Sequence, residues 1–151
     1  MTKEAIYQYV KEQYGTTPEH LWKKDPKSAV LRHKNGKWYA VFMNVDKNKL
    51  GIPEEGSVDI MNVKCNPELN GFIARTYGIR PGYHMNKEHW ISVVLDGSVG
   101  DGKTLDFWDM SYDLIDTGRK YFFKYPLGIE INLKGIFLLS DIQGRMYYSL
   151  S

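Results

Sequence analysis

One short segment constrains the fold of this chain more than any other. The pair Asn35-Gly36 separates two runs of strand-forming residues, 29–34 and 37–43. Asn-Gly accepts the positive φ angles of a type I′ turn, whose twist matches that of the strands on either side. The sequence therefore predicts an antiparallel hairpin and a fold that contains antiparallel sheet.

A two-residue loop would also fix the register of this hairpin. It places Lys34 opposite Lys37 and Arg32 opposite Tyr39. Because side chains alternate with period two, all four should share one face of the tip. Directly opposed like charges destabilise a hairpin by roughly 0.2–1 kcal/mol. Either water screens this cost at an exposed tip, or the cations serve to bind a partner.

The residues around the hairpin predict helices and further strands. A first helix should begin at the cap Thr2 and end at Gly15, with Ile6 and Val10 among its inward residues. Beyond the hairpin the pattern predicts a strand at 58–65, a second helix capped by Asn66 with Pro67 in its first turn, a loop at Gly78 and Pro81-Gly82, and a strand at 89–95.

Two of the helices are expected to bury apolar side chains against the sheet. In the second helix these are Leu69, Phe72 and Ile73. The third helix follows the strand at 89–95 and should bury Leu105, Trp108, Tyr112 and Ile115. It turns four aspartates outward, namely Asp106, Asp109, Asp113 and Asp116. We interpret this aspartate stripe as the solvated face of the helix.

Residues 117–151 change in character to an aromatic, apolar stretch. The alternation of Ile129, Ile131 and Leu133 predicts a strand, and Ile142-Gln143-Gly144 between two apolar runs predicts a terminal hairpin. This stretch either extends the sheet or contacts a protein partner or a second copy through an exposed apolar patch. We therefore expect a domain at 1–116 and a β-rich C-terminal extension at 117–151.

Length and cysteine content restrict the class of protein. A chain of 151 residues fits one domain with a sizeable core. Its single cysteine, Cys65, excludes an internal disulfide and favours a reducing compartment, with the cytoplasm as the default. The N-terminus lacks the apolar segment of a signal peptide, and no apolar run, 136–139 included, has the length of a membrane span, so neither export nor a membrane span is expected.

The charge distribution is more informative than the net charge of +2. Eight basic residues and two aspartates lie between Lys23 and Lys49, whereas six aspartates and one lysine lie between Asp96 and Asp116. Such a chain can present one basic face to a polyanion while its overall charge stays near zero. The alternative is that both runs are ordinary solvated surface.

No catalytic or metal-binding constellation can be identified in the sequence. His84 and His89 could move protons near neutral pH, with Glu88 beside them as a candidate base. Their spacing differs from that of paired metal ligands on a helix, and no cysteine or carboxylate with metal-ligand spacing accompanies them. We expect His84 and Asn86 to fix a loop through side-chain hydrogen bonds, and we predict no enzyme activity, metal or cofactor.

Three further features have ordinary structural interpretations. Gly97–Thr104 formally matches the Walker A phosphate-loop pattern, but in a small α+β chain it is better explained as a glycine-rich turn at the start of the third helix. Cys65, at a strand end, is expected to be a buried and inert thiol. Among the tryptophans only Trp38, near the hairpin tip, is expected to offer a stacking surface.

Several linked segments resemble the signature of a family of small bacterial proteins. They are the hairpin at 29–39, Val63-Lys64-Cys65-Asn66-Pro67-Glu68, Arg80-Pro81-Gly82-Tyr83-His84-Met85-Asn86-Lys87-Glu88-His89-Trp90, Leu95-Asp96-Gly97-Ser98 and Asp109-Met110-Ser111-Tyr112. In these segments the chain resembles the MmcQ/YjbR family, over about residues 1–116. Residues 117–151 have no counterpart in the family core.

The resemblance implies an α+β fold of the secretion-chaperone-like type, with an antiparallel sheet of about five strands and helices on one face. It also implies a proposed double-wing mode of DNA binding, in which the hairpin at 30–41 and the loop at 80–89 are the wings. The residues implied for DNA contact are Arg32, Lys34, Lys37, Tyr39, Arg80, Tyr83, His84, Asn86 and Lys87. Cations would contact phosphates, and the ring side chains would contact sugars or bases.

Two other functions stay open at this point. One is a protein-interaction module with a chaperone-like fold that holds a partner through the sheet surface and the aromatic extension. The other is an enzyme built around His84, Glu88 and His89.

Overall fold

A five-stranded antiparallel sheet with three helices organises the chain up to residue 116. The computed structural model describes residues 1–74 and 76–116 and, beyond them, the backbone of four further strands. The elements are α1 (Lys3–Tyr14), β1 (Ala29–Arg32), β2 (Trp38–Asp46), a 3₁₀ helix (Lys47–Leu50), β3 (Ser57–Lys64), α2 (Pro67–Ile73), β4 (Ile79–Pro81), β5 (Trp90–Val94), α3 (Asp101–Ile115), β6 (Phe122–Lys124), β7 (Ile129–Asn132), β8 (Ile136–Ser140) and β9 (Met146–Leu150). The first sheet has the order β1-β2-β3-β5-β4. The predicted α+β fold is confirmed.

The helices pack on one face of this sheet. Alternate strand residues such as Phe42 and Met61 are fully buried there, in one cluster with Ile6 of α1 and Trp108 of α3. Burial of this apolar surface is the main force that holds the helices on the sheet. The opposite face, which we call the open face, carries two smaller apolar clusters and is partly covered by loops.

Side-chain caps fix the starts of two helices as the sequence predicts. The Thr2 hydroxyl oxygen accepts a hydrogen bond from the Ala5 N–H at 3.2 Å at the start of α1. The Asn66 side chain accepts one from the Glu68 N–H at 2.9 Å, with Pro67 as the first residue of α2. Each cap satisfies a backbone donor that has no partner within its helix.

The β1–β2 hairpin forms, but with a different turn from the predicted one. The His33 N–H donates to the Lys37 carbonyl at 2.8 Å, and the Gly36 N–H donates to the His33 carbonyl at 2.8 Å. Gly36 has φ of 84° while Asn35 is not left-handed. These bonds define a three-residue loop with the left-handed glycine in its last position, not a two-residue type I′ turn. Lys34 and Lys37 therefore do not form a directly opposed pair.

A strand is present where the sequence predicts only a loop. β4 pairs with β5 at the edge of the sheet, and the ladder continues through the Gly82 N–H to the Trp90 carbonyl at 3.1 Å. Pro81, which indicated a loop, is tolerated because an edge strand leaves one side of its backbone unpaired.

Two predictions about helix faces are wrong in part. Phe72 is 66 % exposed, because α2 buries the stripe formed by Leu69, Asn70 and Ile73. In α3 the buried set is Thr104, Phe107, Trp108, Met110, Ser111, Tyr112 and Ile115, and Leu105 is only half-buried.

The four aspartates of the predicted stripe, three in α3 and Asp116 just after it, are also half-buried and do not form a fully solvated stripe. Asp109 accepts hydrogen bonds from the hydroxyls of Tyr14 and Tyr9, so this part of the stripe faces α1. Burial raises the pKa of the Asp109 carboxyl above its usual range.

The C-terminal strands form a sheet of their own. β6 to β9 pair antiparallel in sequence order, and β8 and β9 form the predicted terminal hairpin. The predicted turn at 142–144, and every side chain that a partner would contact in 117–151, lie outside the described residues. Within the part of the chain that the structure describes, no helix has the length and apolar character needed to cross a membrane.

Candidate nucleic-acid interface

The β1–β2 turn and the β4–β5 loop leave the sheet at the same end. One row of paired residues crosses all five strands just inside both connections: Leu31, Ala40, Val63, Ile91 and Pro81. Three strand spacings separate the two hairpins, which places them about 14 Å apart. The two predicted wings are thus on a common end of the molecule and at opposite edges of the sheet.

The tip of the β1–β2 hairpin is anchored to the acidic end of α3. The Asn35 side-chain amide donates to the Ile115 carbonyl at 3.4 Å. His33 Nε2 lies 3.9 Å from an Asp116 carboxylate oxygen. Negative charge beside this tip weakens its attraction for a polyanion.

The Arg32 guanidinium is engaged by partners within the domain. Its Nε donates to both carboxylate oxygens of Glu19 at 3.0 and 3.2 Å, and its Nη1 donates to the Gly36 carbonyl at 3.2 Å. Its guanidinium lies 5.7 Å from the centre of the Trp38 ring. Lys34 and Lys37 are exposed, and among the described residues no carboxylate lies within 4.0 Å of either amine. The free cations of this wing are therefore the two lysines.

Tyr39 belongs to the core, and its predicted place on the tip face is wrong. Its side chain is 0 % exposed. Its ring meets the rings of Trp108 and Tyr112 edge to face, with centroid distances of 4.8 Å and 5.1 Å. The register passes from the Leu31–Ala40 pair directly to Arg32–Trp38, so Tyr39 is the extra residue of a β-bulge. A bulge interrupts the alternation of side chains and here turns the ring toward the helices.

Buried polar side chains fix the β4–β5 loop against the open face. The Tyr83 N–H donates to Ser92 Oγ at 2.8 Å, and the Asn62 amide donates to the Tyr83 carbonyl at 3.2 Å. The Ser92 hydroxyl donates in turn to Asn62 Oδ1 at 2.5 Å. Both side chains are fully buried, so the start of the loop is tied to the sheet.

The end of the loop is fixed from the helix side. The Asn70 amide of α2 donates to the carbonyls of Lys87 at 2.7 Å and Glu88 at 3.1 Å. Asn86 Oδ1 accepts from the Glu88 N–H at 2.9 Å, which confirms the predicted structural role of Asn86. Within the described residues, the His84 side chain makes no such hydrogen bond. The His84 backbone is left-handed, with φ of 56°, and the centroids of the His84 and Tyr83 rings lie 4.2 Å apart.

Cations from the 3₁₀ helix, from β4 and from the β4–β5 loop line a groove beside this loop. The basic groove, as we call it, has a volume of about 530 Å³ and is lined by Lys49, Leu50, Arg80, Pro81, Tyr83, His84 and Lys87. Arg80 donates to the backbone carbonyls of Leu50 at 3.0 Å and Ile79 at 2.9 Å. Lys49 lies 3.6 Å from Asp46 in a largely exposed pair. Since such pairs contribute only about 0–1 kcal/mol, a phosphate can compete for the lysine.

A second groove adjoins the first on the open face. The aromatic groove, as we call it, has a volume of about 350 Å³ and is lined by Trp22, Lys24, Asp25, Ser28, Trp38, Val41, Met43, His84 and Met85. His84 lines both grooves. The basic and aromatic grooves therefore meet at one side chain of the β4–β5 loop.

The residues of the enzyme hypothesis do not converge on either groove. His84 lines both, whereas Glu88 and His89 are exposed and line neither. Among the residues with described positions, no group of three His, Cys, Asp or Glu side chains could hold a metal ion. Cys65 is buried, and burial raises the pKa of its thiol to about 12, as expected for an inert cysteine.

The Walker-like stretch is a turn and a helix start. Gly100 is the N-cap position of α3, and Thr104 is buried with its hydroxyl donating to the Gly100 carbonyl at 3.1 Å. The preceding strand β5 is antiparallel to both of its neighbours, unlike the strand before a phosphate loop.

Of the nine residues implied for DNA contact, Arg80, Tyr83, His84 and Lys87 line one groove, and Asn86 lies in the same loop. Lys34 and Lys37 lie at the other wing, Arg32 is paired, and Tyr39 is buried.

Sequence reasoning did not assign Lys49, Trp22, Met43 or Met85 to a site. The basic run that contains Lys49 was the only signal for it, because the 3₁₀ helix folds over the open face in a way that no local pattern indicates.

Fold and site together define a class: a small α+β domain whose open face carries a basic groove next to an aromatic one. The chain belongs to the YjbR family, whose model matches residues 11–114. It is 45 % identical over 115 residues to YyaQ of Bacillus subtilis (strain 168), which covers 76 % of this chain and 98 % of YyaQ. It is 36 % identical over 121 residues to YbdF of Escherichia coli O157:H7, covering 78 % and 90 % of the two chains. Both relatives carry the name of uncharacterised proteins, so neither name assigns an activity.

Solved structures share the fold. A crystal structure of a Pseudomonas syringae protein matches with a TM-score of 0.73 and 41 % identity, over 76 % of this chain and 98 % of that one. A Deinococcus radiodurans protein matches with a TM-score of 0.59 and 22 % identity, over 78 % and 80 % of the two chains. The division into a domain at 1–116 and an extension at 117–151 stays a prediction.

Proposed function

We propose that this chain is a non-enzymatic DNA-binding protein that contacts mainly the phosphate backbone. The supporting observation is the basic groove, in which Lys49, Arg80 and Lys87 lie beside Tyr83 and His84. Cations that lack a carboxylate partner, or that have only a weak exposed one as Lys49 has in Asp46, bind phosphates and release counterions, which is the main source of sequence-independent affinity.

The two wings contribute unequally in this proposal. The β4–β5 loop is held in place by Asn62, Ser92 and Asn70, so its cations need little ordering when DNA binds. The β1–β2 tip lies next to Asp116, which opposes a polyanion. The β4–β5 wing is therefore the principal one, and Lys34 and Lys37 add attraction at the edge of the contact.

Binding without catalysis fits the arrangement of the histidines. Glu88 and His89 lie outside both grooves, and His84 is accompanied in the basic groove by cations and a tyrosine. The cations of the groove can position a phosphate, and none of the lining residues is a carboxylate that could act as a general base beside His84.

Fluorescence anisotropy with a labelled duplex in a series of salt concentrations tests the proposal. We expect affinity to fall steeply with salt, and Lys49→Ala with Lys87→Ala to lower the slope of log K against log salt by about 1–2. Lys34→Ala with Lys37→Ala should have a smaller effect. Lys11→Ala, an exposed lysine on α1, is the matched control. Salt-independent affinity, or equal effects of all three variants, would overturn the proposal.

A further inference from the structure

Two tryptophan rings line the aromatic groove and suit a flat ligand. Trp22 comes from the loop before β1 and Trp38 from the start of β2, with ring centroids 6.0 Å apart and planes at 82°. Trp22 is 38 % exposed. A volume of about 350 Å³ lies within the range of about 300–1,000 Å³ typical of small-molecule sites.

The aromatic groove is lined by both apolar and polar side chains. Val41 is buried on the sheet, and Met43 and Met85 pack in the same cluster. Methionine side chains are polarizable and adapt to aromatic ligands. The polar lining includes the buried Ser28, whose hydroxyl donates to an Asp25 carboxylate oxygen at 2.5 Å. An apolar floor with a few polar groups suits a planar heterocycle that has a hydrogen-bonding edge.

The groove is continuous with the basic groove through His84, which lines both. A strand of nucleic acid repeats phosphate and base at short intervals, so a phosphate beside Lys87 or Arg80 leaves the attached base near this junction. Lys24 and Asp25 also line the aromatic groove, so its own charges balance and the cations for phosphates come from the basic groove. A basic groove that adjoins an aromatic one suits the adjacent phosphate and base of a single strand.

We propose that the aromatic groove binds an unpaired nucleobase, so that the domain prefers single-stranded DNA whose phosphates lie in the basic groove. This inference rests on the proposed function and adds the class of DNA that the site takes. In a duplex each base is stacked and paired, and a base must leave the stack at a cost of a few kcal/mol before it can reach a side groove. A single strand offers its bases without that cost, and aromatic side chains then stack on them irrespective of sequence.

The test compares three labelled probes with the full chain at one salt concentration. They are an oligothymidylate of about 12 nucleotides, an abasic deoxyribose-phosphate strand of equal length and a duplex. We expect the oligothymidylate to bind about tenfold more tightly than the abasic strand, since both carry the same phosphates and only one carries bases.

A substitution locates the effect. Trp22→Leu keeps apolar bulk but removes the ring face, so it should reduce oligothymidylate affinity to that of the abasic strand and leave abasic and duplex binding unchanged. Trp22→Phe should restore part of the difference. Phe72→Leu removes an exposed ring on α2 outside the groove and should change nothing.

The outcomes separate this inference from the proposal on which it rests. Equal affinity for oligothymidylate and abasic strand, with salt-dependent duplex binding, overturns the inference and leaves the proposed function. Absence of binding to all three probes overturns both. A base-dependent affinity that survives Trp22→Leu places the base elsewhere and overturns the site. The wild-type comparison decides the preference even if Trp22→Leu fails to fold.

Discussion

Tyr39 and Arg32 neighbour exposed lysines in the hairpin, yet folding already uses both side chains. The Tyr39 ring packs against Trp108 and Tyr112, and Arg32 is held by Glu19 and by the Gly36 carbonyl. Side chains engaged in this way stabilise the fold and do not themselves contact a ligand. Lys49 and Lys87 have weaker or purely backbone partners, which leaves their charge available to a ligand.

Replacing Tyr39 separates the two possible roles of its ring. Tyr39→Ala should lower the free energy of unfolding by about 3–5 kcal/mol, because it leaves a cavity among aromatic neighbours. Tyr39→Phe keeps the ring and should leave DNA affinity unchanged. Urea unfolding and anisotropy together measure both effects. A stable Tyr39→Ala protein with weakened DNA binding would contradict the core position.

Asp109 predicts a pH dependence of stability. Burial raises the pKa of its carboxyl above the ordinary value of 3.8, although the hydrogen bonds from Tyr14 and Tyr9 act in the opposite direction. A carboxyl whose pKa is raised by folding binds its proton more tightly in the folded state, so its contribution to stability falls as pH rises from the unfolded to the folded pKa. We expect Asp109→Asn to become more stable relative to the wild type as pH rises from below 3.8 toward neutrality. Urea unfolding of both proteins at several pH values checks this, and a difference that does not vary with pH would contradict it.

The β4–β5 loop is the element on which the site depends. Asn62 and Ser92 hold its first residues and Asn70 holds its last, so polar groups from two strands and a helix converge on one connection. Gly82 permits the close approach at its base, since a Cβ there would lie 2.8 Å from the Cβ of Trp90. A connection fixed at both ends presents its cations in one arrangement.

Removing the Asn70 clamp should loosen this loop. Asn70→Ala leaves the Lys87 and Glu88 carbonyls without their donor, and we expect a loss of about 1–3 kcal/mol in the free energy of unfolding. Amide hydrogen exchange in residues 83–89 should accelerate more than in α1. Gln13→Ala, at an exposed position of α1, is the control. Unchanged exchange in the loop would show that other contacts fix it.

Local patterns predicted the elements better than their contacts. The caps at Thr2 and Asn66, the hairpin and the paired strands follow from backbone preferences that short segments express. The bulge at Tyr39 and the edge strand β4 depend on the register with neighbouring strands, which no short segment contains. The wing residues lie in contiguous segments, so the sequence alone indicated them. Lys49 and Trp22 come close to the site only after distant loops fold over the open face, and no short segment indicates that.

Among the residues that the structure describes, the two faces of the first sheet differ in charge. The acidic helix α3 packs on the helix face, and the basic and aromatic grooves lie on the open face of the sheet. A polyanion approaching such a molecule is oriented toward the open face before contact. If the proposed function holds, we expect DNA to lie across the open face, from the β4–β5 loop toward Trp38.

A titration of the isotope-labelled protein with DNA, followed by two-dimensional ¹H–¹⁵N NMR, tests this placement most directly. We expect the largest shift changes at residues 82–89 and around Lys49, smaller ones at Lys34 and Lys37, and none along the exposed side of α1. Changes concentrated on the helix face, or absent from 82–89, would contradict the claim that the basic groove contacts DNA.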